Sequence, residues 1–210
     1  MKLTKQQIAF IDIFLMEKNI KYLDVRFELL DHLVSDFENY DNIDLNKYLN
    51  SKINFINNFT EKRKSSIHWS YQKQLWLRFF DFFIKIKYVY ISILSFMYTY
   101  ILVFKFETKT ALLLAFIPIC IMQVISWFFA YNFKNKENKK LISALYIANI
   151  MSLPSLFLYV VTPIKDILNQ NKILFFIYCF VGICLNIAGL IEVSLKRKAT
   201  LKKYKILLSN

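Results

Sequence analysis

Long stretches without a formal charge dominate the chain from residue 88 onward, separated by short charged segments. Seventeen uncharged residues run from Tyr88 to Phe104 and twenty-four from Thr110 to Phe133. Another twenty-four run from Leu141 to Ile164, and nineteen from Ile173 to Ile191. A hydrocarbon core of about 30 Å needs about 20 helical residues, so each run is long enough to cross it. The pattern predicts spans at 88–104, 110–131, 141–163 and 173–194. The first 87 residues repeat apolar positions at helical spacing instead. Thr4 reads as an N-cap with Gln7 three residues on, a capping box ahead of Ile8, Ile11, Phe14 and Leu15. A second helix carries Tyr22, Val25, Leu29, Leu33 and Phe37 on one side, with Asp24, Glu28, Asp31 and Ser35 on the other. A third starts near Asp44 and repeats Leu45, Leu49, Ile53, Ile56 and Phe59 or Thr60.

Between these helices and the first span, residues 67–87 form an aromatic amphipathic segment. Trp69, Leu75, Trp76, Phe79, Phe80, Phe83 and Ile86 share one side, and Gln74, Arg78, Asp81 and Lys85 the other. Such a helix suits the membrane interface, lying flat or leading into the first span. The fold class expected is therefore all-α: a four-helix transmembrane bundle over 88–195, preceded by a small cytosolic three-helix domain over 1–66 and an interfacial helix over 67–87. Residues 196–210 form a basic cytosolic tail.

Charge orients the spans. The segments at 105–109 and 165–172 are poor in excess positive charge, whereas the middle loop holds Lys134, Lys136, Lys139 and Lys140. The tail holds Lys196, Arg197, Lys198, Lys202, Lys203 and Lys205. Positive flanks stay on the cytoplasmic side, which places both termini in the cytoplasm. Residues 1–20 mix charges with apolar positions, so no cleavable signal peptide is expected. The formal net charge of +13 is concentrated beside spans, where an anionic leaflet attracts each Lys or Arg by about 1 kcal/mol. Anionic membrane lipids are therefore the expected partner of these flanks, and nucleic acid is not.

Candidate chemistry is sparse. Two glycines cannot furnish a phosphate-cradling loop, and no nucleophile elbow or H-E-x-x-H motif occurs. The expectation is a protein without enzymatic activity, metal or cofactor. Cys120, Cys179 and Cys184 all fall within spans and read as packing residues. Inside the bundle, Ala144, Ala148 and Ser152 recur at four-residue steps beside Asn149, and Gly182, Asn186 and Gly189 form a second small-residue stripe. Pro118, Pro154 and Pro163 are expected to kink or end the second and third spans. Glu192 is the only ionisable residue at the edge of a span interior, with Lys196 or Arg197 as its expected partner. Gln123, Asn149, Asn186 and Glu192 could alternatively line a polar path in a small transporter or channel.

The second helix contains Arg26-Phe27-Glu28-Leu29-Leu30-Asp31-His32-Leu33. This stretch resembles the R-x-E-L-x-D-H-L pattern of HAAS-type and permease-prefix domains, small helical modules ahead of membrane spans in bacterial proteins. It is also similar to the opening of uncharacterised multi-span bacterial membrane proteins. The resemblance implies a regulatory or protein-interaction module in a bacterial inner-membrane protein. The partner would be an unidentified membrane or cytosolic protein, or a second copy. Arg26, Glu28, Asp31, His32 and Asp36 are the candidate contact residues. Glu28 and Asp36 lie one turn on either side of His32 and are expected to hold it, while Arg26 caps or bridges to a neighbouring helix.

Overall fold

The computed structural model describes residues 3–40, 43–131, 146–147 and 149–209. Among them the chain is all-helical: α1 (Lys5–Glu17), α2 (Leu23–Phe37), α3 (Leu45–Ser51), α4 (Ile53–Ile84), α5 (Ile86–Lys105), α6 (Thr108–Tyr131), α7 (Ser152–Gln170) and α8 (Lys172–Ser209). The described residues up to Trp69 belong to one compact unit, and those from Ser70 onward to a second.

In the first unit, α1 begins with the expected capping box. Thr4 accepts from the Gln7 N–H, and the Gln7 side chain accepts from the Thr4 N–H at 2.8 Å. Its end is a feature the apolar pattern does not show. Asn19 adopts a left-handed φ of 67°. The Ile20 N–H reaches back to Leu15 O at 3.1 Å and the Asn19 N–H to Met16 O at 2.9 Å. This is a Schellman closure, with Ile20 and Leu15 as its buried apolar pair. Ile11, Phe14 and Leu15 of α1 join Leu23, Val25, Leu29 and Leu33 of α2, Tyr48 and Leu49 of α3 and Ile56 of α4 in the core.

The third expected helix is broken. Lys52 leaves the helical path at φ −91°, ψ 2°, separating α3 from α4. Its ammonium meets Asp36 at 2.7 Å and lies near the rings of Tyr40 and Tyr48. The residue that breaks the helix thus also ties α3 to α2.

In the second unit, α8 packs against α5, α6 and α7. Among the described residues, three helices are long and apolar enough to cross a membrane: Ile86–Lys105, Thr108–Phe129 and Lys172–Lys202. Of the expected span 141–163, residues 141–145 and 148, including Ala144 and Ala148, lie outside the described residues, as does the lysine-rich loop at 134–140. Its described continuation, α7, carries Pro163 inside the helix and runs on through Lys165 and Asp166. Pro163 therefore does not end this helix, and Pro118 does not end α6. The 38 residues of α8 extend about 57 Å at 1.5 Å each, well beyond the hydrocarbon thickness.

The aromatic segment ahead of the first span does not continue into it as one helix. Lys85, with extended backbone at φ −92°, ψ 120°, separates α4 from α5. The Ser92 hydroxyl donates to Phe82 O at 3.0 Å across this break. Leu75, Phe79 and Phe82 turn inward, while Trp76, Phe80, Phe83 and Ile84 stay exposed. The buried side of α5 is polar and small: Ser92, Ser95 and Thr99 precede Leu102 and Val103. Its exposed side carries Ile93, Leu94, Met97 and Ile101. Small hydroxyl side chains let helices approach closely, and lipid accommodates the large apolar ones.

Candidate functional site

The α2 residues named from the sequence are largely occupied within the first unit. Arg26 Nε lies 3.3 Å from Asp12 Oδ1 on α1, so Arg26 does bridge to a neighbouring helix. That nitrogen is buried and lacks an aligned acceptor, which makes the contact an ion pair without a well-formed hydrogen bond. Glu28 Oε1 accepts from Arg63 Nη2 of α4 at 2.5 Å. Asp36 Oδ2 accepts from the Tyr48 hydroxyl at 2.7 Å and from Lys52 Nζ at 2.7 Å.

Glu28 and Asp36 therefore do not hold His32, because stronger cationic partners reach them from α4 and from the break between α3 and α4. His32 instead sets its ring edge-on to Phe59, with centroids 5.3 Å apart. Asp31 and His32 are the members of the set that remain at the surface.

The Asp36 cluster has matching electrostatics. The Lys52 ammonium, and then the Tyr48 hydroxyl, hold the Asp36 carboxyl below the usual carboxylate range. The hydrogen bond to Asp36 raises Lys52 above the ordinary lysine range. Burial, reinforced by the hydrogen bond to Asp36, pushes the Tyr48 phenol well above its ordinary value. Two helices, α2 and α3, and the break after α3 are thus joined through one carboxylate, and Tyr48 was not among the residues singled out from the sequence. An aromatic hydroxyl in an apolar repeat carries no spacing signal of its own.

A second unforeseen feature lies on α1. Phe10, Ile13 and Met16 are 39%, 48% and 47% exposed. Their three-residue steps keep them on one side of the helix, while Ile11, Phe14 and Leu15 fill the core on the other. The first unit covers the inner side; on the outer side Phe10 and Ile13 lie one turn from Gln6 and Glu17.

In the second unit, Gln123 Nε2 donates to Asn186 Oδ1 at 2.7 Å. Asn186 Nδ2 in turn donates to Gly182 O at 2.9 Å and Pro154 O at 3.2 Å. This amide pair, with Asn186 buried and Gln123 half-buried, links α6, α7 and α8. Asn149 does not join it; it is exposed, and its backbone carbonyl accepts from Gln72 Nε2 at 2.9 Å. Gly182 and Gly189 face α7 and the residues just before it. A Cβ at Gly182 would stand 2.9 Å from the Phe157 ring, and one at Gly189 would stand 2.5 Å from Met151 Sδ and 3.3 Å from Pro154 Cγ.

Glu192 is 4% exposed, and its ion-pair partner is neither Lys196 nor Arg197. Arg78 Nε of α4 meets Glu192 Oε1 at 2.8 Å. Lys196 instead lies over the Tyr71 ring and Arg197 over the Phe129 ring. Arg78, placed on the outer polar side by the sequence pattern, points inward because the buried carboxylate requires a partner. Of the cysteines, Cys179 and Cys184 are buried and Cys120 is exposed. Among the described residues no three His, Cys, Asp or Glu side chains come together as a metal site would require.

Compared with known proteins, the chain matches no family model, no curated protein and no solved structure.

Proposed function

We propose that this chain is a multi-pass bacterial inner-membrane protein without enzymatic activity. Its N-terminal helices form a cytosolic module that binds another protein. In this reading a fourth span completes the bundle, both termini lie in the cytoplasm, and basic flanks hold the chain against an anionic leaflet. The resemblance of Arg26–Leu33 to HAAS-type and permease-prefix modules agrees with such a role. The observation that carries the reading is the uncovered apolar side of α1, Phe10, Ile13 and Met16. Three large apolar side chains held in water on one helix face are the mark of a contact surface. Asp31 and His32, left at the surface after Arg26, Glu28 and Asp36 are engaged internally, supply polar contacts.

The rival reading, a polar path for transport, is disfavoured by the mutual satisfaction of Gln123 and Asn186 and of Arg78 and Glu192. Such pairing serves helix cohesion.

The test is site-specific photocrosslinking in living cells, with the crosslinking residue at Ile13 of the full-length chain and, as a comparison, at the exposed Lys47 of α3. The expected result is a discrete protein adduct at Ile13 that Met16→Glu abolishes, with none at Lys47. An adduct of twice the chain mass identifies a second copy as the partner. Adducts to lipid alone, or equal adducts at both positions, overturn the reading.

A further inference from the structure

Within the second unit, the C-terminal end of α4 and the far part of α8 enclose an open cavity of about 450 Å³. Its charged lining is Arg78, Asp81, Lys85, Glu192 and Lys196. Arg78 is held by Glu192 at 2.8 Å and approaches Asp81 at 3.4 Å, and Asp81 also meets Lys85 at 3.0 Å. Three cations face two carboxylates, so one positive charge is left over. Among the described residues Lys196 makes no ion pair; its ammonium rests 4.9 Å from the centre of the Tyr71 ring, an arrangement that leaves N–H donors free. The Lys85 side chain is 60% exposed, so its other donors are also available.

The position of the cavity along the helices indicates what it meets. Lys85 immediately precedes the apolar helix Ile86–Lys105, and Glu192 is the first charge after the run from Ile173 to Ile191. Both walls therefore stand at the ends of apolar stretches, the level of lipid headgroups when those stretches lie in hydrocarbon. Leu77 and Leu195 also line the cavity and are exposed, giving an apolar rim beside the charges. A soluble anion would have no use for that rim, whereas a lipid has both an anionic head and apolar chains.

We propose that this cleft is a binding site for the headgroup of an anionic phospholipid. Its phosphate oxygens accept from Lys196 and Lys85, and its chains pass over Leu77 and Leu195. The Arg78–Glu192 pair sets the distance between the two helices and so positions the lysines. Basic pockets between helices at the cytoplasmic side are suited to such headgroups. The inference does not depend on the partner-binding role of α1.

Native mass spectrometry of the detergent-solubilised full-length chain tests it, with phosphatidylglycerol, phosphatidylcholine and inorganic phosphate titrated separately. The wild type is expected to retain phosphatidylglycerol in preference to phosphatidylcholine. Replacing both lysines, K85Q/K196Q, should weaken phosphatidylglycerol about thirtyfold, since two lysines at about 1 kcal/mol each convert at about 1.4 kcal/mol per factor of ten. Lys85→Gln alone, at a side chain that is 60% exposed, should weaken it about fivefold by the same conversion. The control K105Q/K109Q removes equal charge from exposed positions at the end of α5 and the start of α6 and should leave the preference intact. Equal losses in both double variants, or no loss with Lys85→Gln, would overturn the site. Displacement of the lipid by inorganic phosphate at equal concentration would overturn the lipid as its occupant.

Discussion

The two units are built from the same element by opposite rules. In the first, large apolar side chains such as Leu15, Leu29 and Leu49 fill the centre, and ion pairs such as Glu28–Arg63 and Asp36–Lys52 clasp the helices from outside. In the second, hydroxyls and amides lie inside, as Ser92, Thr99 and Asn186 show, while Ile93, Leu94, Ile117 and Val124 face outward. Water rewards burial of apolar surface and weakens exposed ion pairs. Lipid offers no such reward, so cohesion there passes to close approach and to polar contacts. The difference agrees with a second unit whose three long apolar helices are able to cross a membrane. Within the first unit, α1 shows Phe10, Ile13 and Met16 outward, alongside Phe27 on α2 and Phe55 on α4.

Substitutions that reverse one rule at a time sharpen this contrast. The largest effect is expected from Glu192→Ala, which leaves the Arg78 guanidinium with the longer 3.4 Å approach to Asp81. The cost should be about 3 kcal/mol, as for other buried pairs with one partner removed, read as a lowered thermal midpoint of the detergent-solubilised chain. Next comes Gly182→Leu, which must displace the Phe157 ring. Overpacking of this kind costs about 2 kcal/mol and should appear as faster proteolysis of α7 and α8. Asn186→Leu makes the interior more apolar, which would stabilise a water-soluble core. Here it should destabilise by about 1 kcal/mol, through loss of the bonds to Gln123, Gly182 and Pro154. A gain in thermal midpoint would show that the second unit obeys the first unit's rule.

In the first unit, Asn19→Ala should cost about 1 kcal/mol, because alanine lacks the local bonding that lets asparagine enter the left-handed region. Asn19→Gly should be neutral. Hydrogen exchange at the end of α1 reads both.

The smallest effect is the pH response of the Asp36 cluster. The depressed Asp36 carboxyl adds stability that is present above the unfolded carboxylate value of about 4 and is lost as pH falls through its lower folded value. The raised Lys52 and Tyr48 add stability that is present below their unfolded values of about 10 and is lost as pH rises through the folded ones. A plateau between these limits is expected in the exchange rates of α2 and α3, and Asp36→Asn should lower it and flatten both of its edges.

Much of this architecture could be read directly from residue spacing. The capping box at Thr4, the core stripes of α1 and α2 and three apolar helices follow from local periodicity, which depends only on neighbours in sequence. The breaks at Lys52 and Lys85 do not, because a single residue leaves the helical path where side-chain contacts across the fold favour it. The same limit applies to Arg78 and Glu192, which are 114 positions apart, and to Glu28 and Arg63. A charge pattern shows which side chains need partners, whereas the chain's folding decides which ones meet. The outward apolar side of α1 was visible as residues but not as a face, since Ile11 and Phe14 give the same helix an equally good inner stripe.

The most direct test is cysteine accessibility in intact cells, with Cys120, Cys179 and Cys184 replaced by serine and single cysteines placed at Ser35 on α2 or Lys109 on α6. A membrane-impermeant maleimide should label Lys109→Cys in intact cells and Ser35→Cys only after the membrane is opened. Labelling of Ser35→Cys in intact cells, or protection of Lys109→Cys, would contradict a cytosolic first unit joined to a second unit that crosses the membrane.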